Sequence, residues 1–271
     1  MITQTHSVGT TNTYAIHRDR FGPEFPSKIE DLWTSACKIL VDAKGPEKNN
    51  KSIAASIGPL GGSYRTVIYE SHKKAVELFQ EKAAHLEPYV DMFLCETVSS
   101  ITHLKAVLEG VRNVAKGKPV FLCVTVDDTN GKLLRSGEQL REALKAAKGK
   151  CDAILINCSA PEAIPSGLSI LKESGLPFGA YANGFTHICS DFLKKGATVD
   201  CLKARKDLSP ETYAKHVVSW TRDYGATIVG GCCETGPSHI KATAELLRAS
   251  NYEIVDLNGF TKVEKEDNIS K

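Results

Sequence analysis

The chain has 271 residues, enough for one large domain with a sizeable core. Charged residues make up 24% and the formal net charge is +2, which excludes the basic footprint of a nucleic-acid binder and an acidic tail, so a small partner is expected. No run approaches the ~20 apolar residues of a membrane helix, and the start, Met1-Ile2-Thr3-Gln4, has no basic stretch leading into an apolar signal region; a soluble cytoplasmic protein with no membrane role is expected.

Short apolar, β-rich runs alternate with longer segments of helical spacing. In chain order, the strands are expected at 8–13, 53–58, 92–97, 120–126, 153–158, 178–183 and 227–232. Helices are expected over 28–43, 68–85, 101–115, 137–147, 162–172, 211–224 and 240–247. Ser209-Pro210-Glu211 supplies a cap with proline in the first turn, and Thr235-Gly236-Pro237-Ser238 does similar work before the last helix. This alternation predicts an α/β fold of parallel strands joined by crossover helices. A closed barrel takes eight strands and an open doubly wound sheet tolerates seven, so the count alone leaves both architectures open. No Gly-x-Gly-x-x-Gly follows an early strand, which weakens the nucleotide-binding sheet. Residues 1–250 read as one domain and 251–271 as a polar tail whose last part, 262–271, is expected to fray.

The distinctive residues fall at the ends of the expected strands: Asn12, Gly58, Glu96, Asp127, Asn157, Cys158, Asn183, Cys232 and Cys233. In an α/β barrel that rim carries the active site, because loops from different strands converge there. The nine cysteines are scattered and include one adjacent pair, unlike a secreted disulfide framework, which points to a reducing compartment. In Gly230-Gly231-Cys232-Cys233-Glu234-Thr235, glycines permit close backbone approach just before two consecutive thiols. A barrel would bring Cys158 beside them, and three thiolates with one open position describe a catalytic zinc centre. The alternative is that these are small buried hydrophobes. That reading is kept for Cys37, Cys95, Cys123, Cys151, Cys189 and Cys201, which have no companion ligand at a recognisable spacing.

Five ordered segments resemble the signatures of the homocysteine S-methyltransferase family: Thr10-Thr11-Asn12-Thr13-Tyr14, Ser56-Ile57-Gly58-Pro59, Glu96-Thr97, Asn157-Cys158-Ser159-Ala160-Pro161-Glu162, and Gly230-Gly231-Cys232-Cys233 with Pro237-Ser238-His239-Ile240. The resemblance runs from about Thr10 to Leu247. It implies a TIM-type (β/α)8 barrel, Zn2+ on Cys158, Cys232 and Cys233, and the thiol of homocysteine in the fourth place. It also implies that Glu96 holds the substrate ammonium group, with Asn12, Thr13 and Asn183 lining the pocket. Taken alone, Glu96 reads equally well as a structural partner, Asn12 and Thr13 as caps of the following loop, and Asn183 as a turn residue before glycine.

The implied reaction moves a methyl group from an onium donor to homocysteine, forming methionine. S-methylmethionine and S-adenosylmethionine are the expected donors, since betaine-using relatives carry a long C-terminal extension and only a short tail follows Leu247. The family's first strand, with its acidic-glycine motif, has no counterpart before Thr10, so an N-terminally shortened barrel with seven recognisable strands is expected, as a monomer or weak oligomer. A zinc- or partner-binding barrel without turnover, a redox-responsive thiol protein and a betaine-dependent methyltransferase are the competing readings.

Overall fold

The computed structural model describes residues 8–21, 28–44, 51–66, 71–194, 197–255 and 257. Its elements run β1 (Val8–Thr10), α1 (Ile29–Lys44), β2 (Ser52–Ile57), α2 (His72–Leu86), β3 (Met92–Val98), α3 (Ile101–Arg112), β4 (Val120–Val124), α4 (Leu140–Ala147), β5 (Ala153–Asn157), α5 (Ile164–Leu171), β6 (Phe178–Tyr181), α6 (Pro210–Tyr224), β7 (Ile228–Val229) and α7 (Pro237–Ala249). The seven strands lie side by side in chain order. Every pairing is parallel, so each connection is a crossover to the neighbouring strand.

Strands β2 to β5 are buried along their whole length, as strands covered on both faces are. Their period of two divides them between two cores. Ala54, Met92, Leu94, Phe121, Cys123, Ala153, Leu155 and Tyr181 meet on one face, and Val8 of β1 and Ile228 of β7 pack against the same cluster. The alternate residues, among them Ile53, Phe93, Leu122, Ile154 and Phe178, point into the larger core shared with the helices. A sheet whose first and last strands share one inner core is curled, the barrel-like TIM-type α/β fold expected from the sequence, with β1 and β7 as its edges. Leu257 also packs against the inner cluster. Residues 1–7 and the tail 262–271 lie outside the described residues.

Local chemistry sets the helix ends. Ser71, Ser100 and Ser209 each accept a backbone N–H of the first turn, capping α2, α3 and α6. Helix α7 starts earlier than expected because Pro237, which has no N–H to leave unpaired, stands in its first turn. Helix α4 starts later, since Gly137 occupies a left-handed turn with φ 82°. No helix of the described residues is long and apolar enough to cross a membrane. The ladders of β1, β6 and β7 stop at Thr10, Tyr181 and Val229, short of the expected ends, and the residues beyond them leave the sheet to build the rim.

Glycine 179 is demanded by the last pairing, where a Cβ would lie 1.7 Å from the Ile228 carbonyl oxygen. Gly179→Ala is therefore expected to push β7 off β6 at a cost of about 3 kcal/mol. In a thermal melt that is a fall of roughly 6–12 °C in Tm. An unchanged Tm would mean that β7 can shift freely.

Candidate metal centre

Cys158 follows β5 in the left-handed region, with φ 49°, a conformation that costs a non-glycine residue energy and persists only where its surroundings enforce it. They do so here. Its N–H donates to the Tyr181 carbonyl at 3.0 Å. On one side, the Asn157 side chain accepts from Thr97 N at 2.9 Å and donates to Thr97 Oγ1 at 3.1 Å. On the other, Ser159 Oγ accepts from Val126 N at 2.9 Å.

The cysteine pair is held by a second set of bonds. Cys232 N donates to the Ala182 carbonyl at 3.1 Å, and the Cys233 carbonyl accepts from Gly184 N at 2.8 Å. Thr235 Oγ1 closes the turn on the Cys232 carbonyl at 2.6 Å. That turn needs Gly231, whose Cβ would lie 2.3 Å from Thr235 Oγ1. Tyr213, from α6, anchors the strand end by donating to the Gly230 carbonyl at 2.7 Å.

These supports bring the Sγ atoms of Cys158, Cys232 and Cys233 within 4.8 Å of one another. Cys158 to Cys233 is 3.6 Å and Cys232 to Cys233 is 4.0 Å. All three cysteines are free; Cys158 is buried, Cys232 half-buried and Cys233 exposed, so the cluster opens to solvent on one side. Hydrogen bonds from the Cys158 and Cys232 thiols hold the Cys233 thiol down to about 3, while the Cys232 thiol is raised well above its ordinary value by its bonds to Cys158 and Cys233. The cluster thus stabilises a thiolate. Tyr64 OH lies 2.9 Å from Cys158 Sγ.

Glu96 lies on the inward-facing row of β3 and is buried. Tyr181 OH donates to its Oε1 at 2.8 Å, and Ser56 Oγ donates to Oε2. Burial raises the Glu96 carboxyl above its ordinary range, the bonds from Ser56 and Tyr181 oppose that, and the charge of nearby Cys233 adds to it. The buried Asn183 amide accepts from Phe185 N at 3.1 Å, the expected turn contact, while its Nδ2 has no partner among the described residues. Thr13 is buried with its hydroxyl donating to the Ser56 carbonyl at 2.7 Å, and Asn12 is exposed. The rim therefore gathers Cys158, Cys232, Cys233, Glu96 and Asn183, while the Thr13 hydroxyl is engaged by β2 and Asn12 is exposed to solvent.

Of the other cysteines, Cys37, Cys95, Cys123 and Cys151 are buried as expected. Cys189 is half-buried and Cys201 exposed, contrary to expectation, because both stand on the long connection from β6 to α6 and outside either core. Sequence reasoning assigned no role to Ser56, Tyr64, Tyr181 or Lys82. Ser56 and Tyr181 were findable as polar side chains on the inward row of β2 and β6. Lys82 sits on the apolar face of α2 beside Phe79, Ala83 and Leu86, fully buried, and its Nζ reaches the Thr13 carbonyl at 2.7 Å and His17 Nε2 at 2.9 Å. Burial drives its amine well below the ordinary lysine value. Nothing local in the sequence marks Tyr64.

Beyond Tyr64 lies a cavity of ≈ 600 Å³ between the connections that follow β2, β4 and β6.

The homocysteine S-methyltransferase family model matches residues 3–247. The chain is 27% identical over 253 residues to the methionine synthase of Mycobacterium leprae, a match covering 89% of this chain and 20% of that protein. It thus spans about a fifth of the length of that relative. It is 26% identical over 245 residues to homocysteine S-methyltransferase 1 of Zea mays, covering 82% of this chain and 73% of the maize protein. The fold resembles that of the metallated homocysteine methyltransferase MmuM from Escherichia coli, with a TM-score of 0.70 at 19% identity over 89% of this chain and 79% of that one. Family match, ordered strands and a rim of converging thiols agree, and the chain belongs to the homocysteine S-methyltransferase family.

Proposed function

We propose that this protein transfers a methyl group from a sulfonium donor, S-methylmethionine or S-adenosylmethionine, to homocysteine, forming methionine, with zinc held by Cys158, Cys232 and Cys233. The observation that carries the reading is the convergence of three free thiols within 4.8 Å, open to solvent on one side. A tetrahedral centre with metal–sulfur bonds of about 2.3 Å separates its sulfurs by about 3.8 Å. The spacings of 3.6 and 4.0 Å fit it. When bound, zinc supplies the Lewis acidity that favours the thiolate of a substrate thiol whose free pKa is about 8.5.

The remaining work falls to the protein's own side chains. Glu96 accepts hydrogen bonds from the homocysteine ammonium, with Ser56 and Tyr181 each holding one of its oxygens in place. The unpartnered Nδ2 of Asn183 is a donor for the substrate carboxylate. In the transfer, the donor's methyl–sulfur bond breaks with its electron pair left on the donor sulfur, and a pair on the substrate sulfur forms the new bond. The positive charge disappears as the methyl moves, so the leaving thioether needs no proton. The protein's task is to hold the reacting atoms ~3–3.5 Å apart and in line.

The test is metal analysis of the purified protein followed by methionine formation from homocysteine with each donor. About one zinc per chain is expected, with turnover on a sulfonium donor. A protein that holds zinc but yields no methionine with any onium donor would remove the catalytic reading.

A further inference from the structure

Two thiols lie outside the metal cluster and outside both cores: Cys189, half-buried, and Cys201, exposed. Both stand on the connection from β6 to α6, 12 positions apart. That connection is drawn together at its base. Phe185 and Ala204 form an antiparallel bridge, Arg205 N donates to the Gly184 carbonyl at 2.7 Å, and Thr186 N donates to the Lys203 carbonyl at 2.9 Å. Facing residues of an antiparallel pair stand about 4.5–5.5 Å apart, a separation that a disulfide spans. Just beyond this base the two cysteines meet. Cys189 Sγ donates to the Cys201 carbonyl at 3.5 Å, and the two thiols also interact through a hydrogen bond.

The surroundings divide the roles of the two sulfurs. Desolvation and the Cys189 sulfur raise the Cys201 thiol, and the Asp191 charge adds to that. Lys194, paired with Asp191 at 2.6 Å, is also close enough to Cys189 for their charges to interact. A cation beside a thiol favours the thiolate, so Cys189 is the attacking sulfur and Cys201 the resolving one. Between them, the short 3-10 turn Ser190–Leu193 carries Phe192, whose ring packs edge-on to Tyr64 with centres 5.8 Å apart, and Leu193, which lines the cavity. Tyr64 in turn meets Cys158 Sγ.

We propose that Cys189 and Cys201 are a redox modification site, closed by exchange with a small disulfide of the glutathione type into an intramolecular disulfide that staples this connection against Tyr64. In the first step the Cys189 thiolate attacks one sulfur of oxidised glutathione, whose S–S bond breaks and releases one glutathione thiolate. Cys201 Sγ then attacks the Cys189 sulfur and releases the second. The two protein thiols lose two electrons and two protons, and the two glutathione sulfurs take them up. Excess reduced thiol reverses both steps.

The test is a disulfide map of the purified protein, supplied with zinc and held in glutathione buffers of rising oxidised fraction. Tryptic cleavage puts Cys189 in peptide 173–194 and Cys201 in peptide 196–203, and it keeps Cys158 in 151–172 and the cysteine pair in 223–241. Peptides 173–194 and 196–203 are expected to be linked, and dithiothreitol should part them. Two thiols on one short connection have an effective concentration of millimolar order, so at about 0.1 mM reduced glutathione the link should exceed glutathione adducts at least ~10-fold. Cys201→Ser should replace the link by a glutathione adduct on Cys189. Oxidation should also slow hydrogen exchange at the Phe192 and Lys194 amides, which close the turn, by roughly 10-fold, because a crosslink restrains local opening. Glutathione adducts on both cysteines without a link, both thiols still free at the highest oxidised fraction, or a link between 151–172 and 223–241 in place of this one would overturn the site. Unchanged exchange in the linked protein would overturn the staple.

Discussion

Cys158→Ser, Cys232→Ser and Cys233→Ser are each expected to strip the bound zinc and to lower methionine formation at least ~100-fold, because even loss of an outer-shell partner of a metal ligand costs about 10–100-fold in affinity. The three sulfurs contribute unequally to the fold. Cys158 is buried and held in a left-handed conformation, whereas Cys233 is exposed. Cys233→Ser therefore tests metal binding with the least disturbance of packing. Cys37→Ser and Cys201→Ser are the controls and should leave the metal content unchanged. Cys37 is buried in the helix-side core, where burial pushes its thiol up to about 11 and keeps it protonated, and Cys201 gives its thiol hydrogen to the Thr198 carbonyl at 3.1 Å. Since the ligands bind as thiolates, zinc affinity should also fall as the pH is lowered. Full zinc occupancy in all three cluster variants, read by metal analysis, would defeat the proposed centre.

Glu96→Gln is expected to lower kcat/KM for homocysteine by roughly 10–100-fold at unchanged zinc content, the range of a hydrogen bond to a charged group. Tyr181→Phe and Ser56→Ala each remove one donor to that carboxylate and should cost less, on the order of 10-fold, through its orientation. The pH profile separates charge from packing. Burial raises the Glu96 carboxyl, so it takes up a proton at a higher pH than an exposed glutamate. Its hold on the ammonium is present above that point and is lost as the pH falls through it. The wild-type acid limb in kcat/KM should therefore vanish in Glu96→Gln and persist, displaced, in Tyr181→Phe. An unchanged homocysteine KM and acid limb in Glu96→Gln would return Glu96 to the structural role that its two internal hydrogen bonds also allow.

Much of the architecture is legible in the residue pattern. Alternation of apolar strands with helical segments placed every strand within a few residues, because a strand covered on both faces must be apolar throughout and a crossover helix must not be. The adjacent pair Cys232 and Cys233 is legible too, since consecutive thiols after two glycines need no partner elsewhere to be noticed. Strand ends are less so: the expected strands run on to Thr13, Asn183 and Cys232, yet pairing stops at Thr10, Tyr181 and Val229.

Only the tertiary structure decided which residues share the rim. Cys158 and Cys233 are 75 positions apart with no metal-site spacing between them, and they meet because β6 alone separates β5 from β7. Side-chain direction was equally hidden. Asn12 and Thr13 are neighbours in sequence, but one is exposed and the other is buried and gives its hydroxyl to the β2 backbone. Cys189 and Cys201 lie on a connection outside both cores, although their chemistry resembles that of the buried cysteines. Tyr64 joins the thiol cluster and the cavity from a loop with no pattern of its own. Periodicity encodes the burial of regular elements, whereas proximity between loops depends on the curl of the sheet and on backbone hydrogen bonds beyond the strand ends, and neither leaves a local signal in the residues concerned.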